Sequence, residues 1–459
     1  MKPTSIRRDA ALFLAAMLAA GAAPLPVHAE KIPPGAICVL TTPAATTFYY
    51  DTAESGGLDA MWADAVAAQT ATVKLFTDWK AVNGTRLVPD GKGCAFEGAI
   101  CIPSGHEVTL DLNGFSIDRT LTTAIDDGEV IYVDEGATLN LTDTTAAAGG
   151  QGKVTGGNST NSAGGIHVAK GGKLNLWGGS ITGNHTEANG GGIVLEGEGT
   201  SLYMTGGKIE KNSAVGSGGG IAMAEASLEV VSGSILENTA GANGGGIFQQ
   251  GGSVSFKAGA VTSNSAVAGG GICTIADAEL ILMGTVIIQN NVAGNANEQG
   301  RGGGIYAQSS KPIRFSDSVN VTSNRQSDGT VSNLTFFVSG QPFVGPRVLD
   351  DGVATSAKVG VNFIGGEERE MGFAPSWSTP VFSADGEFEY IEADGVQYLK
   401  RPAVPEDYIL YVWIGIGAVI VILIVLVTII LVAVHKEKQR RKKRRKRRKT
   451  ANRVQPAQK

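Results

Sequence analysis

The chain has 459 residues with 64 glycines, 42% hydrophobic residues, only 18% charged residues and a net charge of −5. Glycine at twice its usual share of ~7%, with no Gly-X-Y period, excludes collagen, and this much hydrophobic content excludes a disordered chain. Residues 30–407 hold 21 basic and 41 acidic residues, and so acidic a body repels nucleic acid, which is not expected as a partner.

Residues 1–29 read as a secretory signal peptide. Lys2, Arg7 and Arg8 precede the apolar run Ala10–Ala23, and Val27-His28-Ala29 places cleavage after Ala29. Residues 30–106 form the N-terminal cap region. Within them, LDAMWADAVAA (58–68) sets Leu58, Met61, Trp62, Ala65 and Val66 on one helical face, and a strand follows at 72–76. Early, less regular coils are expected at 107–117 and 130–143.

A repeat then fills the middle of the chain, and the expected β-helix spans 107–325. Each unit reads Gly-Gly-Gly-Ile, a short strand, a second strand ending in glycine, then Ile-x-x-Asn. The isoleucines are Ile166, Ile193, Ile221, Ile247, Ile272 and Ile305. The asparagines are Asn184, Asn212, Asn238, Asn264, Asn290 and Asn324. Both markers keep a period near 26 residues, the signature of a stacked repeat. Apolar residues two apart, such as Leu202/Met204 and Leu228/Val230, mean strands with one buried face. Three strands per unit make one coil. The expected fold class is therefore all-β, a parallel β-helix whose like side chains stack in columns. One column holds the six isoleucines above; another holds Ile181, Ile209, Ile235, Val261 and Ile287. The glycines serve tight turns with positive φ and close approach of neighbouring coils. The asparagines occupy turn positions, tolerate the left-handed region and hydrogen-bond from coil to coil. One unit is longer: Asn290–Arg301 adds about seven residues, and solenoid insertions become loops on one side.

Residues 326–400 are read as final coils and a C-terminal cap, and 401–407, with Pro402 and Pro405, as a linker. Tyr408–Val434 is 27 uncharged residues, about 40 Å of helix at ~1.5 Å per residue, enough to cross a ~30 Å hydrocarbon core. Residues 435–459 carry 14 Lys and Arg against one acid. The positive-inside rule puts this tail in the cytoplasm, near anionic lipids, and the body outside the cell.

The segments WADAVAAQTATVKLFTDW and VTLDLNGFSI, followed by the GGGI…GGxIxxN units, resemble bacterial surface proteins built as right-handed parallel β-helices, the pectate-lyase-like solenoid. The GGxI and xxxN pairing also resembles the polymorphic membrane protein repeats of adhesins. That resemblance implies a right-handed coil with a short N-terminal capping helix and a surface role. Here the position before xxN is aliphatic where the adhesin repeats are aromatic, and the chain ends in one expected helix where they end in a barrel.

Lyases and hydrolases of this fold need clustered carboxylates. Between 164 and 306 the acids, including the Glu196/Glu198 pair, do not share a column, so no catalytic residue, metal site or cofactor is assigned. The spacing of His167 and His185 suits no metal site. Cys94 and Cys101 close a small loop and form the candidate disulfide. The residues following the stacked isoleucines, His167, Val194, Ala222, Phe248, Cys273 and Tyr306, should face outward. Trp177, Tyr203, Phe248, Arg301 and Tyr306 make up the candidate binding surface, because aromatics on a flat β face stack on sugar rings or anchor protein partners. The leading expectation is a non-catalytic adhesion or glycan- or protein-binding ectodomain on a single-pass cell-membrane protein. The alternatives are a polysaccharide lyase or glycoside hydrolase, and a passive envelope spacer.

Overall fold

The computed structural model describes residues 32–51, 57–81, 87, 98–146, 151–309, 311–337, 347–353, 357–364, 371–373, 382–385, 389–393, 396–400, 423–424 and 426–445. The chain divides into two units, Met1–Lys400 and Arg401–Lys459.

In the first unit the sequence period becomes a stack of parallel strands. The strands that open successive coils place Ile131, Ile166, Ile193, Ile221, Ile247, Ile272, Ile305 and Leu334 opposite one another in order. In the second strands Leu139, Leu174, Leu202, Leu228, Val254 and Leu280 align in the same way. All of these side chains are buried. Side chains alternate across each strand, so one face of every strand turns inward, and each buried aliphatic chain contributes about 1.5–3 kcal/mol. The first unit is mostly β, a long parallel strand stack compatible with a β-helix solenoid.

The stack begins earlier than residue 107. Thr70–Leu75, Trp79–Lys80 and Ile100–Ile102 already pair in parallel with Glu107–Asp111, Ser116–Asp118 and Ile131–Val133. Among the described residues, those before Thr70 cap it. Ala36–Thr41 and Thr46–Tyr50 form a hairpin whose first strand runs antiparallel to Thr70–Leu75. The expected helix is present as Gly57–Ala67 and buries Met61, Trp62 and Ala65. Trp62 meets Trp79 of the first coil with ring centroids 5.6 Å apart, so the helix closes the open end of the core.

Seven successive coils also hold a fourth, two-residue strand that alternation did not reveal. Asn158–Ser159, His185–Thr186, Ser213–Ala214, Thr239–Ala240, Ser265–Ala266, Val292–Ala293 and Arg325–Gln326 form their own ladder. Two residues are too few to leave a period-two signature.

The asparagine column is a continuous ladder, with one correction. Asn238 shows the pattern. Its Nδ2 donates to Ile209 O (2.9 Å) and Asn264 Oδ1 (3.0 Å), and its Oδ1 accepts from the N–H and the Nδ2 of Asn212 (3.0 Å each). The ladder runs Asn184, Asn212, Asn238, Asn264, Asn291 and Asn324, so Asn291 stands where Asn290 was expected. Asn333 extends it, and the Asp385 carboxylate ends it by accepting from Asn333 N and Nδ2.

The cause of the one-residue slip is visible upstream. Strand Glu279–Gln289 keeps register with the previous coil to Leu282, then gains a residue, so that Thr285 faces Ala258 and Ile288 faces Val261. A bulge reverses which side chains turn inward downstream of it. Ile288 is therefore 0% exposed, while Ile287, the expected member of the column, is 42% exposed. Nor do the ladder asparagines take the left-handed region. The residue before each does: Gly183, Lys211, Glu237, Ser263, Asn290 and Ser323 all have positive φ.

The glycine triplets have two separable jobs, seen at Gly218–Gly220. Gly218 adopts φ +71°. A Cβ on Gly219 would sit 2.5 Å from Thr239 O, and one on Gly220 would sit 2.6 Å from Gly246 O. The turn needs the first glycine, and the next coil needs the other two.

Beyond the last regular coil, Met371–Phe373, Glu389–Ala393 and Val396–Lys400 form an antiparallel sheet. In the second unit, residues 423–424 and 426–445 are helical. Among the described residues no helix is long and apolar enough to cross a membrane. The expected signal peptide, the linker and residues 408–422 and 425 of the expected span lie outside the described residues, as do 446–459 of the tail.

Candidate functional site

The outward column beside the stacked isoleucines splits into two halves. Cys273 is 0% exposed and Tyr306 4% exposed, which corrects the expectation that both face solvent. Ala268 from the neighbouring corner packs over them with Phe248, Ile275 and Phe337. Tyr306 and Phe337 rings lie 6.5 Å apart. A period-two argument shows which side of a strand a residue occupies, but not whether another segment covers that side. Burial pushes the Cys273 thiol up to about 12. Burial also raises Tyr306, while a hydrogen bond with Arg301 opposes the rise.

The rest of the column borders a cleft, although Ala222, also expected to face solvent, is only 6% exposed. This cleft of about 250 Å3 is lined by Asn161, Ser162, His167, Asn189, Val194, Glu196, Ala222, Phe248 and Gln250, among others. Of the expected binding surface, only Phe248 belongs to it. Trp177, 44% exposed, sits after the second strand of its coil, and Tyr203 is half-buried on the outer face of Ser201–Met204. Arg301 is exposed. The inserted segment closes on itself: Asn295 Oδ1 accepts from Asn297 N (2.8 Å) and Glu298 N (2.9 Å). The structure thus does not gather all five into one surface, although Phe248 packs on the cluster of Tyr306, which Arg301 contacts.

It gathers three other residues instead. His167 Nδ1 lies 2.7 Å from Ser162 Oγ, and His167 Nε2 lies 3.0 Å from Glu196 Oε2. A carboxylate oxygen can only accept, so the neutral imidazole carries its proton on Nε2 and Nδ1 accepts from the Ser162 hydroxyl. Tyr132 packs on the imidazole with centroids 5.1 Å apart. Burial holds His167 below the usual histidine range, and its contact with Glu196 opposes that shift. The geometry follows from strand register. His167 stands opposite Val194 in the next coil, so Glu196, two residues on, leans back toward it from the same face.

Behind Ser162 lies a buried carboxylate. Glu129 is 0% exposed and neither of its carboxylate oxygens has a well-formed hydrogen bond. Burial pushes its pKa up to about 7, opposed by its own backbone N–H, the Arg119 guanidinium and the nearby Ser162 hydroxyl, and assisted by Asp127. Arg119, itself buried, donates to the carbonyls of Asp127 and Glu129. Asn161 anchors the rim: its Oδ1 accepts from Asp127 N (3.0 Å).

Next to the cleft, Glu135, Glu196, Glu198 and Glu225 surround a second hollow with Tyr132 and Lys170. Among the described residues no group of three or more His, Cys, Asp and Glu could hold a metal ion. Of the cysteines, Cys101 is disulfide-bonded and Cys38 and Cys273 are free and buried. Cys94 lies outside the described residues.

Sequence reasoning passed over Ser162 and gave Glu196 no role. The available signal was positional. Aligning Ile166 with Ile193 puts His167 and Glu196 on one outward face of adjacent coils, and Ser162 just before the glycine turn. Comparison with known proteins finds no matching family model, no significantly similar characterised protein and no matching solved structure.

Proposed function

We propose that the chain is a cell-surface protein whose ectodomain, residues 30–400, is a right-handed parallel β-helix that binds an extended extracellular glycan along the cleft. The carrying observation is the lining: a half-buried aromatic, Phe248, in line with Ala222 and Val194 on adjacent strands, together with the polar side chains of Asn161, Asn189, Glu196 and Gln250. An apolar face offered to a sugar ring, with amides and carboxylates placed for its hydroxyls, is the chemistry of carbohydrate recognition. In this reading 408–434 cross the membrane, and the tail, with its 14 Lys and Arg, lies on the cytoplasmic side. Many copies on one membrane would strengthen a weak single-site contact.

Cells displaying the full chain are screened on immobilised glycans, and retention is compared with Phe248→Ala and Gln250→Ala. Retention should fall about two- to tenfold for Phe248→Ala, the loss of one stacking contact of about 0.5–1.4 kcal/mol. Retention equal to the parent on every glycan the parent binds sinks the reading.

A further inference from the structure

We infer that Ser162, His167 and Glu196 form an acyl-transfer centre that hydrolyses carboxylic esters, with acylated sugars as the substrate class. The choice of sugar esters rests on the cleft-binding reading above; the ester chemistry itself does not. The relay has the parts such a centre needs: a hydroxyl, a base in contact with it, and a carboxylate on the far nitrogen of that base. Here the imidazole presents Nδ1 to the hydroxyl and Nε2 to the carboxylate. Either nitrogen can serve as the base in the right tautomer, and Glu196 selects that tautomer.

A serine–histidine contact alone would mean little in this protein. His185 Nδ1 also lies 2.8 Å from Ser213 Oγ, in the neighbouring ladder. Among the described residues, however, no carboxylate hydrogen-bonds to His185, and neither His185 nor Ser213 lines the cleft. The Ser162 relay is set apart by Glu196 and by its place in the cleft wall. Asn189, on the same cleft, has its Oδ1 held by the Ser217 N–H at 2.7 Å. That leaves its NH2 group as a donor for an oxygen developing negative charge.

In the first step, the Ser162 oxygen forms a bond to the ester carbonyl carbon, and its proton passes to His167 Nδ1. The tetrahedral species collapses, the carbon–alkoxy bond breaks, and the alcohol leaves with that proton. Water then attacks the acyl carbon and gives a proton to His167. The bond to Ser162 breaks, the proton returns to the serine oxygen, and the carboxylic acid departs. One water is consumed, and no oxidant, reductant or metal takes part. His167 must be neutral to accept the first proton, and burial favours that form. The charged and titratable groups around the relay are Glu196 from the next coil, Asp127 and Tyr132 from the preceding one, and Glu129 behind Ser162. Glu196 acts through His167 and is a positioning residue.

The test uses the full chain in detergent, with p-nitrophenyl acetate as substrate and diisopropyl fluorophosphate as a covalent probe located by mass spectrometry. Ser162→Ala should lower turnover at least about 100-fold and remove the label, with an unchanged melting temperature. Ser213→Ala should leave both unchanged. Glu196→Gln should slow turnover and move the acid limb of its pH profile to lower pH, since the group that raises His167 is gone. Three results overturn the centre: a folded parent with neither turnover nor label, a Ser162→Ala variant that turns over like the parent, or equal loss in Ser213→Ala. Turnover without glycan retention rejects the binding reading alone, and retention without turnover rejects the esterase alone.

Discussion

Replacing Asn291 by alanine should damage the stack far more than replacing Asn290 beside it. Asn291 Nδ2 donates to Val261 O (2.9 Å) and Asn324 Oδ1 (2.9 Å), and its Oδ1 accepts from Asn264 N (2.9 Å) and Asn264 Nδ2 (3.0 Å). The residue is 0% exposed. Truncation removes four hydrogen bonds and leaves buried polar partners that no water can reach. Each such group costs about 1–3 kcal/mol when unpaired, and some retain a second partner, so the net cost is about 3–6 kcal/mol. Asn290 takes no part in the ladder and holds φ +57°. There alanine loses only the asparagine preference for the left-handed region, about 1 kcal/mol. Urea unfolding of the full chain, followed by far-ultraviolet circular dichroism, compares the two midpoints. Coils are coupled to their neighbours, so an Asn291→Ala defect should lower the whole transition. Equal midpoints for the two variants, or a larger loss for Asn290→Ala, would refute the bulge-shifted register.

Two further outcomes follow from buried titratable groups. Glu129 holds a proton in the folded chain up to a pKa of about 7, whereas the unfolded chain releases it near the ordinary value of 4.5. The folded state binds more protons between those values, so stability is greatest below pH 4.5, falls through the interval and stays low above pH 7. The difference is about 3 kcal/mol. Glu129→Gln should flatten melting temperature between pH 5 and pH 8 relative to the parent, and an unaltered slope would assign that dependence to other groups. Burial raises both free thiols, Cys38 and Cys273, to about 12. Neither should react with iodoacetamide at pH 8 until the chain unfolds, so rapid labelling of Cys273 in the native protein would show that the Ala268–Phe337 cover is open.

The repeating architecture was legible because stacking selects the same side-chain type at the same place in every coil. Ile166 through Ile305 stand in one predicted column, and Ile181, Ile209, Ile235 and Val261 in the other, because a parallel stack buries one face per strand. The cap helix was legible for the same reason, from the face of Met61, Trp62 and Ala65. What sequence could not show depended on contacts with no periodic trace. The extra residue before Thr285 moved the inward role from Ile287 to Ile288 and the ladder from Asn290 to Asn291. In the sequence a bulge is only one residue more, and two adjacent asparagines fit the period almost equally well. Cys273 and Tyr306 became interior because Ala268 and Phe337, from a corner and from the next coil, cover them. Ser162, His167 and Glu196 meet across one coil boundary, where strand register brings residues 29 apart in the chain to within 3.0 Å. Period and burial are local demands repeated along the chain, so composition and spacing carry them; cover, bulge and cross-coil contact exist only once the coils are stacked.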